Sequence, residues 1–463
     1  MNLSLRRLPL RRVGLAAGVV ALALTASGCS SFGSGSSGSS SNDTAAVGLA
    51  PPLRSDQKVE IVFESYNLSQ AGVWTDTING LVREFEGAHP NIKVTARPPQ
   101  GGALNAVGSI QSQMVVGKAP DVGQITFGDL DFAVHGLKAK PLDDLVGKAA
   151  VQTAFDGKHP FAPNARTLGD WEGKTYGMPY VFSTPVVFYN ADAFRAAGLD
   201  PDKPPATWDE LKQAALAIKA KAGKEGAYID CATASSGDWC LQAILGSNGG
   251  SVLSPDRKTL TFAEPASVQA VGTLADLVKS GASPNLTQAQ AIDAFSRGNL
   301  GMVLESSSLQ GMFQQAAGAA KWDLRAAALP AFPGKEAVPT NSGSALMVFA
   351  GDPAKQRAAW ELITFLTSDR AYTEISAKIG YLPLRPSLTQ DPTTLKPWAD
   401  KNTLLGPNLR QLERLSPWVS FPGNSYVQIR DLLMQAVEAS VYQGKDPQTA
   451  LGEAARRGTA LLP

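Results

Sequence analysis

A chain of 463 residues, 44% hydrophobic and 18% charged, is longer than the roughly 250–300 residues at which single cores stop growing, so more than one lobe or domain is expected. Its formal charge of +1 leaves no electrostatic footprint for nucleic acid. With three histidines and three cysteines, and no HExxH, paired CxxC, Gly-x-Ser-x-Gly or phosphate-loop motif, the chain weighs against a zinc enzyme or a serine hydrolase.

At the N-terminus Arg6, Arg7, Arg11 and Arg12 precede an apolar run over 13–24 and then Thr25-Ala26-Ser27-Gly28-Cys29. Basic, then apolar, then small residues is the order of a signal peptide, and the apolar run is too short for a comfortable membrane span. The small residues before the cysteine resemble a lipobox, which implies a signal peptide over 1–28 and lipidation of Cys29; a secreted protein with a chance cysteine is the alternative. The paired arginines leave Sec and twin-arginine export both open. Residues 30–42 are almost entirely Ser and Gly, a composition that cannot bury a core and behaves as a flexible tether, read here over 29–55. Without 1–28, which hold four arginines and no acid, the formal charge becomes −3. No second long apolar stretch follows.

Further along, 58–66 reads as a buried strand. Apolar residues at Ile78, Leu81, Val82 and Phe85 have helical spacing, and Pro90 closes that helix. A strand over 92–96, a helix over 105–116 and a third strand ending near Thr126 follow. Strands alternating with helices predict an α/β lobe with a largely parallel sheet. Residues 179–189 read as one strand of β-branched and aromatic residues, followed by a helix after Asn190 and another entered at Thr207. There Glu210 stands three residues on and completes a capping box. Helices are predicted over 209–222, 267–279, 288–295, 427–440 and 447–462, and a short strand over 301–304.

STPVVFYNADAFRAAGLDPDKPPATWDELKQAA, from Ser183, and NSGSALMVFAGDPAKQRAAWELITFLTSDRAYTEISAKIGYLPLRPS, from Asn341, resemble extracellular solute-binding proteins of sugar-type ABC importers, particularly glycerol-3-phosphate-binding proteins. With HPNIKV and APDV in the same order, the resemblance covers most of 58–463. It implies an α/β, two-lobed periplasmic-binding-protein-like (type II) fold, with lobe 1 over 56–186 and 337–375 and lobe 2 over 187–336 and 376–463. Residues 183–189 and 330–340 would be the crossings between lobes, and ligand would lie in the cleft.

Sugar and polyol sites combine aromatic faces with fixed polar groups. Ser183 and Thr184 at the crossing, Trp239 after the small polar loop 235–238, and Ser306, Ser307 and Ser308 after a buried strand fit that chemistry. Trp239 could equally be a core residue, and the serines could simply cap the helix that follows. The resemblance adds Gly343, whose counterpart lies against ligand, Tyr381 of the GYLP segment, and Arg430. The counterpart of Arg430 grips phosphate, a role suited to a planar guanidinium; a structural ion pair is its alternative. Asp129 or Asp131 could accept hydroxyl protons. Paired carboxylates such as Asp129 and Asp131, or Asp143 and Asp144, are otherwise commonplace on solvated faces and name no catalytic residue. Against the relatives' pattern, 98–102, 126–129 and Ser236 stand where a tyrosine, a glutamate and a tryptophan are usual, so two aromatic platforms are expected to be missing. Cys231 and Cys240 form a disulfide or remain two buried thiols; export favours the bond.

The expectation is a non-enzymatic, lipid-anchored solute-binding component of an ABC importer, monomeric and held at the outer face of the cytoplasmic membrane. No cofactor, metal or nucleic acid is expected. Its solute would be a glycerol-3-phosphate or glycerophosphodiester, or alternatively a neutral mono- or oligosaccharide; an exported hydrolase is the remote alternative. ABC permease subunits would be its partners.

Overall fold

The computed structural model describes residues 49–102, 105–233, 237–411 and 414–463. The expected signal peptide, Cys29, most of the tether and the loop residues Ser235 and Ser236 lie outside the described residues.

Two sheets organise the chain. The first uses β1 (Val59–Glu64), β2 (Ile92–Arg97), β3 (Val122–Thr126), β4 (Gly177–Ser183) and β9 (Ser342–Val348). The second uses β5 (Pro185–Asn190), β6 (Glu225–Ile229), β7 (Leu300–Ser306) and β8 (Leu324–Ala327). In space the first runs β2-β1-β3-β9-β4, with β1 parallel to both neighbours and β9 antiparallel to β3 and β4. The second runs β8-β5-β7-β6; only β6 and β7 are parallel. Helices such as Val73–Ala88, which buries Ile78, Leu81, Val82 and Phe85, cover the sheets. The capping box at Thr207 and Glu210 opens the helix Trp208–Ala217.

The single strand expected over 179–189 is two strands. Every residue of β4 and β5 is buried, so apolar character runs unbroken through the junction while the pairing partner changes from β9 to β7. Thr184 is the one residue between them. Pro179, which has no N–H to give a ladder, sits where the β4 register shifts against Ser344 and Ala345, a position that tolerates proline.

Thr184 is tied on all sides. Its N–H donates to Ser307 Oγ (3.2 Å), its hydroxyl donates to Asn408 Oδ1 (2.8 Å), and Gln411 Nε2 donates to that hydroxyl (2.9 Å). The chain returns to the first sheet between β8 and β9, across 330–340. Leu382 N donates to Phe182 O, and the Arg385 guanidinium donates to carbonyls of Ala154, Asp156, His159 and Thr367. His159 reaches Ser387 and Asp391. On the second sheet's side, Gln310 of the helix Gln310–Ala320 donates through Nε2 to Gly380 O (2.7 Å) and accepts at Oε1 from Asn402 (3.1 Å). Among the described residues no helix is long and apolar enough to cross a membrane.

Candidate functional site

Strands place side chains at their ends, and ligands of open α/β sheets bind beyond the carboxyl ends of the strands. Here those ends converge. Tyr66 follows β1, Thr126 ends β3, Ser183 ends β4, Asp230 follows β6, and Glu305 and Ser306 end β7; all border one cavity of about 190 Å³. Ser342 and Gly343 enter from the start of β9, and Trp74, Trp239, Gln288, Tyr381 and Trp418 from helices and loops. Both sheets therefore supply the walls. A larger concavity of about 620 Å³, walled by Trp360, Arg370 and Arg385, draws on the first sheet's side alone.

Of the residues expected from sequence, Ser183, Trp239, Ser306, Ser308, Gly343 and Tyr381 line the cavity. Ser306 Oγ donates to Ser183 Oγ (2.9 Å) and is bonded to Ser308 Oγ (2.8 Å), so a run of hydroxyls crosses from one sheet to the other. Ser306 Oγ also accepts from Ser308 N (3.3 Å), and the capping role and the cleft-lining position coincide. Thr184 and Ser307, each one residue further on, face the interior, as the two-residue period of a strand requires. They knit the junction and do not line the cavity.

Gly343 has φ +135°, and a Cβ there would collide with the Val181 carbonyl oxygen. The glycine thus lets β9 press against β4 at the cavity mouth. Tyr381 donates to Asn67 Oδ1 (3.1 Å) and packs edge-on against Trp74, with ring centroids 5.3 Å apart. Burial raises its phenol and pushes that of Tyr66 up to about 12, so both act as neutral donors. Five aromatic residues at other positions, Tyr66, Trp74, Trp239, Tyr381 and Trp418, border the cavity.

Asp129 and Arg430 sit behind this wall. Asp129 is 4% exposed and accepts from Thr126 Oγ1 (2.5 Å), while its Oδ1 has no partner. Burial pushes its carboxyl up to about 6 against the pull of the Arg430 charge. Asp238, raised by burial and likewise drawn down by Arg430, accepts from Trp418 Nε1 (3.1 Å) and Gln242 Nε2 (2.8 Å). Arg430 lies over the Tyr426 ring at 5.6 Å and donates to the Tyr426 hydroxyl (3.3 Å) and Asp431 (3.4 Å). Its positive charge favours the charged forms of both buried acids. Asp131 is engaged by Arg257 (3.0 Å) and His135 (2.7 Å).

Sequence reasoning missed Tyr66, Gln70, Trp74, Trp418 and an acid pair. Gln288 Nε2 donates to both Asp230 Oδ2 (3.0 Å) and Glu305 Oε1 (2.8 Å), and Glu305 also accepts from Ser306 N. Burial and the neighbouring Asp230 raise the Glu305 carboxyl well above its ordinary range. One signal was available: Tyr66, Asp230 and Glu305 each stand at the carboxyl end of a predicted or buried strand. Cys231 and Cys240 are buried with Cα atoms 4.9 Å apart and sulfurs in contact, a separation that a disulfide spans. Among the described residues no group of three metal-ligating side chains gathers.

The Brucella melitensis sn-glycerol-3-phosphate-binding periplasmic protein UgpB is 29% identical over 304 residues, covering 63% of this chain and 68% of the relative. Two solved structures share the two-lobed fold. One is the GacH receptor of Streptomyces glaucescens, solved unliganded and with acarbose (TM-score 0.74, 22% identity, 88% of this chain and 99% of that one). The other is UgpB from Mycobacterium tuberculosis with glycerophosphocholine (TM-score 0.73, 22% identity, 86% and 97%). Residues 80–404 match the family model of bacterial extracellular solute-binding proteins, and the chain belongs to that family.

Proposed function

We propose that this chain is the solute-capturing component of an ABC importer, holding a carbohydrate or glycerol-phosphate-type solute between its two lobes and handing it to a membrane permease. The observation that carries the reading is the cavity bordered by both sheets, with five aromatic rings and a hydroxyl run joining Ser183 to Ser306. Rings stack on the C–H faces of sugars and hydroxyls exchange hydrogen bonds with theirs. A ligand touching both walls favours the closed arrangement by its differential affinity. Binding without chemistry is the role: the chain is a monomer without catalysis, exported, lipid-anchored at Cys29 on the outer face of the cytoplasmic membrane, and braced by a Cys231–Cys240 disulfide.

A phosphorylated solute is the second reading, and Arg430 is what favours it. The guanidinium would turn from the Tyr426 hydroxyl and Asp431 to the phosphate.

Calorimetric titration against neutral mono- and disaccharides, glycerol-3-phosphate and glycerophosphodiesters tests both. Binding lost in Trp239→Ala supports capture in this cavity. Loss in Arg430→Ala for phosphorylated solutes alone supports the second reading. No binding by any member, or turnover of one, overturns the proposal. Metabolic labelling with palmitate, expected to vanish in Cys29→Ser, tests the anchor.

A further inference from the structure

Trp418 is held from the second sheet's side while its ring is seated on the first. Its Nε1 donates to Asp238 Oδ1 (3.1 Å), Val419 N donates to Gln242 Oε1 (3.0 Å), and Gln242 Nε2 donates back to Val419 O (2.9 Å). Asp238 precedes and Gln242 belongs to the helix Trp239–Ser247, which follows β6 in the chain. The end of the return crossing adds further ties. Trp418 N donates to Asn341 Oδ1 (2.8 Å), Ser416 N to Pro339 O (2.8 Å) and Asn341 N to Ser416 O (3.2 Å). A loop tied at this many points holds its side chain in place.

The ring rests on the turn Phe127–Asp129, beyond the carboxyl end of β3. A Cβ on Gly128 would fall between 2.5 and 2.9 Å from three atoms of the indole, so the ring fills the space that any other residue's side chain would need. Trp418, which borders the cavity, thus spans from one wall to the other and closes the gap between them. What remains is about 190 Å³. That is about six times a water molecule's share of the liquid, about 30 Å³, and short of the roughly 300–1,000 Å³ of pockets that bury larger ligands. One sugar ring or a glycerol phosphate displaces about that much; a second ring does not fit.

We infer that Trp418, seated on Gly128, is the specificity-determining end wall of the cavity and limits the solute to one sugar ring or a molecule of that size. This rests on the solute-capture reading and narrows its substrate class. A longer solute must displace the indole, which breaks the bond to Asp238 and deprives that buried carboxyl of a donor. Bulk alone does the selecting, so the limit applies equally to neutral and phosphorylated solutes.

The test is calorimetry of the full chain with probes matched by size: glucose with maltose and maltotriose, galactose with lactose, and glycerol-3-phosphate with glycerophosphocholine. In the unsubstituted chain the smaller member of whichever set binds should be favoured about tenfold or more, the ratio expected from overfilling a packed site. In Trp418→Ala the larger member should bind more tightly than it does to the unsubstituted chain, and the preference should fall to within about threefold. Should that variant fail to fold, as read by circular dichroism, Trp418→Leu takes its place, since leucine keeps an apolar side chain and shortens the wall. A larger member bound by the unsubstituted chain as well as its smaller partner, or one that gains no affinity from the substitution, overturns the inference and leaves solute capture standing. Binding by no probe overturns both.

Discussion

Replacing Gly128 by alanine tests whether Trp418 stands in the cavity wall by steric fit. Gly128 lies in the turn Phe127–Asp129 after β3, and its backbone conformation is one that alanine adopts. A Cβ there meets the Trp418 indole at 2.5 Å from Cε2, 2.7 Å from Cδ2 and 2.9 Å from Cζ2. Carbons rest at about 3.5–4.0 Å, so the ring must retreat by about 1 Å. Overpacking of this kind costs about 1–3 kcal/mol. The retreat also strains the 3.1 Å bond from Trp418 Nε1 to Asp238, and a hydrogen bond to a charged group contributes about 1.5–3 kcal/mol. The expected loss of stability is therefore about 2–4 kcal/mol, with weaker solute binding because a stacking face has moved. Urea unfolding and calorimetric titration read the two effects. In a Trp418→Ala background the added methyl group has room, and Gly128→Ala should then cost less than about 0.5 kcal/mol. An equal cost in both backgrounds would refute the reasoning.

Three further outcomes are expected. Asp129 is raised from its ordinary 3.8 to about 6 by burial, so the stability tied to its proton is present below pH 3.8 and lost as pH rises to about 6, by about 3 kcal/mol. Urea unfolding at intervals across that window should show the fall in the unsubstituted chain relative to Asp129→Asn; parallel profiles would contradict it. Gly343→Ala should lower stability by at least about 1–3 kcal/mol, from backbone strain at φ +135° before the collision with Val181 is added. A Tm unchanged from the parent would refute that. The Cys231–Cys240 loop has a sequence separation of nine, for which a bond contributes about 2–3 kcal/mol. Reductant should therefore lower Tm in the unsubstituted chain and leave a Cys231→Ser, Cys240→Ser variant unmoved.

Local order was legible where local forces decide it. The helix Val73–Ala88 announces itself by apolar spacing, and the helix at Trp208 by its capping box. The break at Thr184 was not, because β4 and β5 are equally apolar and only the change of partner strand divides them. In the site, Ser183 and Ser306 were found together with Thr184 and Ser307. Strand alternation then sent the first two to the cavity and their successors to the interior. Arg430 could be picked out as a residue type suited to phosphate, but its electrostatic pull on Asp129 and Asp238 depends on how the helix Tyr426–Tyr442 packs. The pairing of Asp230 with Glu305 was invisible for a similar reason: they are far apart in the chain, and the β6–β7 register alone makes them neighbours.

Three of the eight tryptophans, Trp74, Trp239 and Trp418, border one small cavity. Indole emission responds to the polarity and water around the ring, so filling the cavity changes the light from a large share of the protein's own fluorophores. The chain is in that sense a self-reporting receptor. A library of unlabelled solutes can be screened in a plate by emission wavelength alone, and the single-tryptophan substitutions will tell which wall each solute touches.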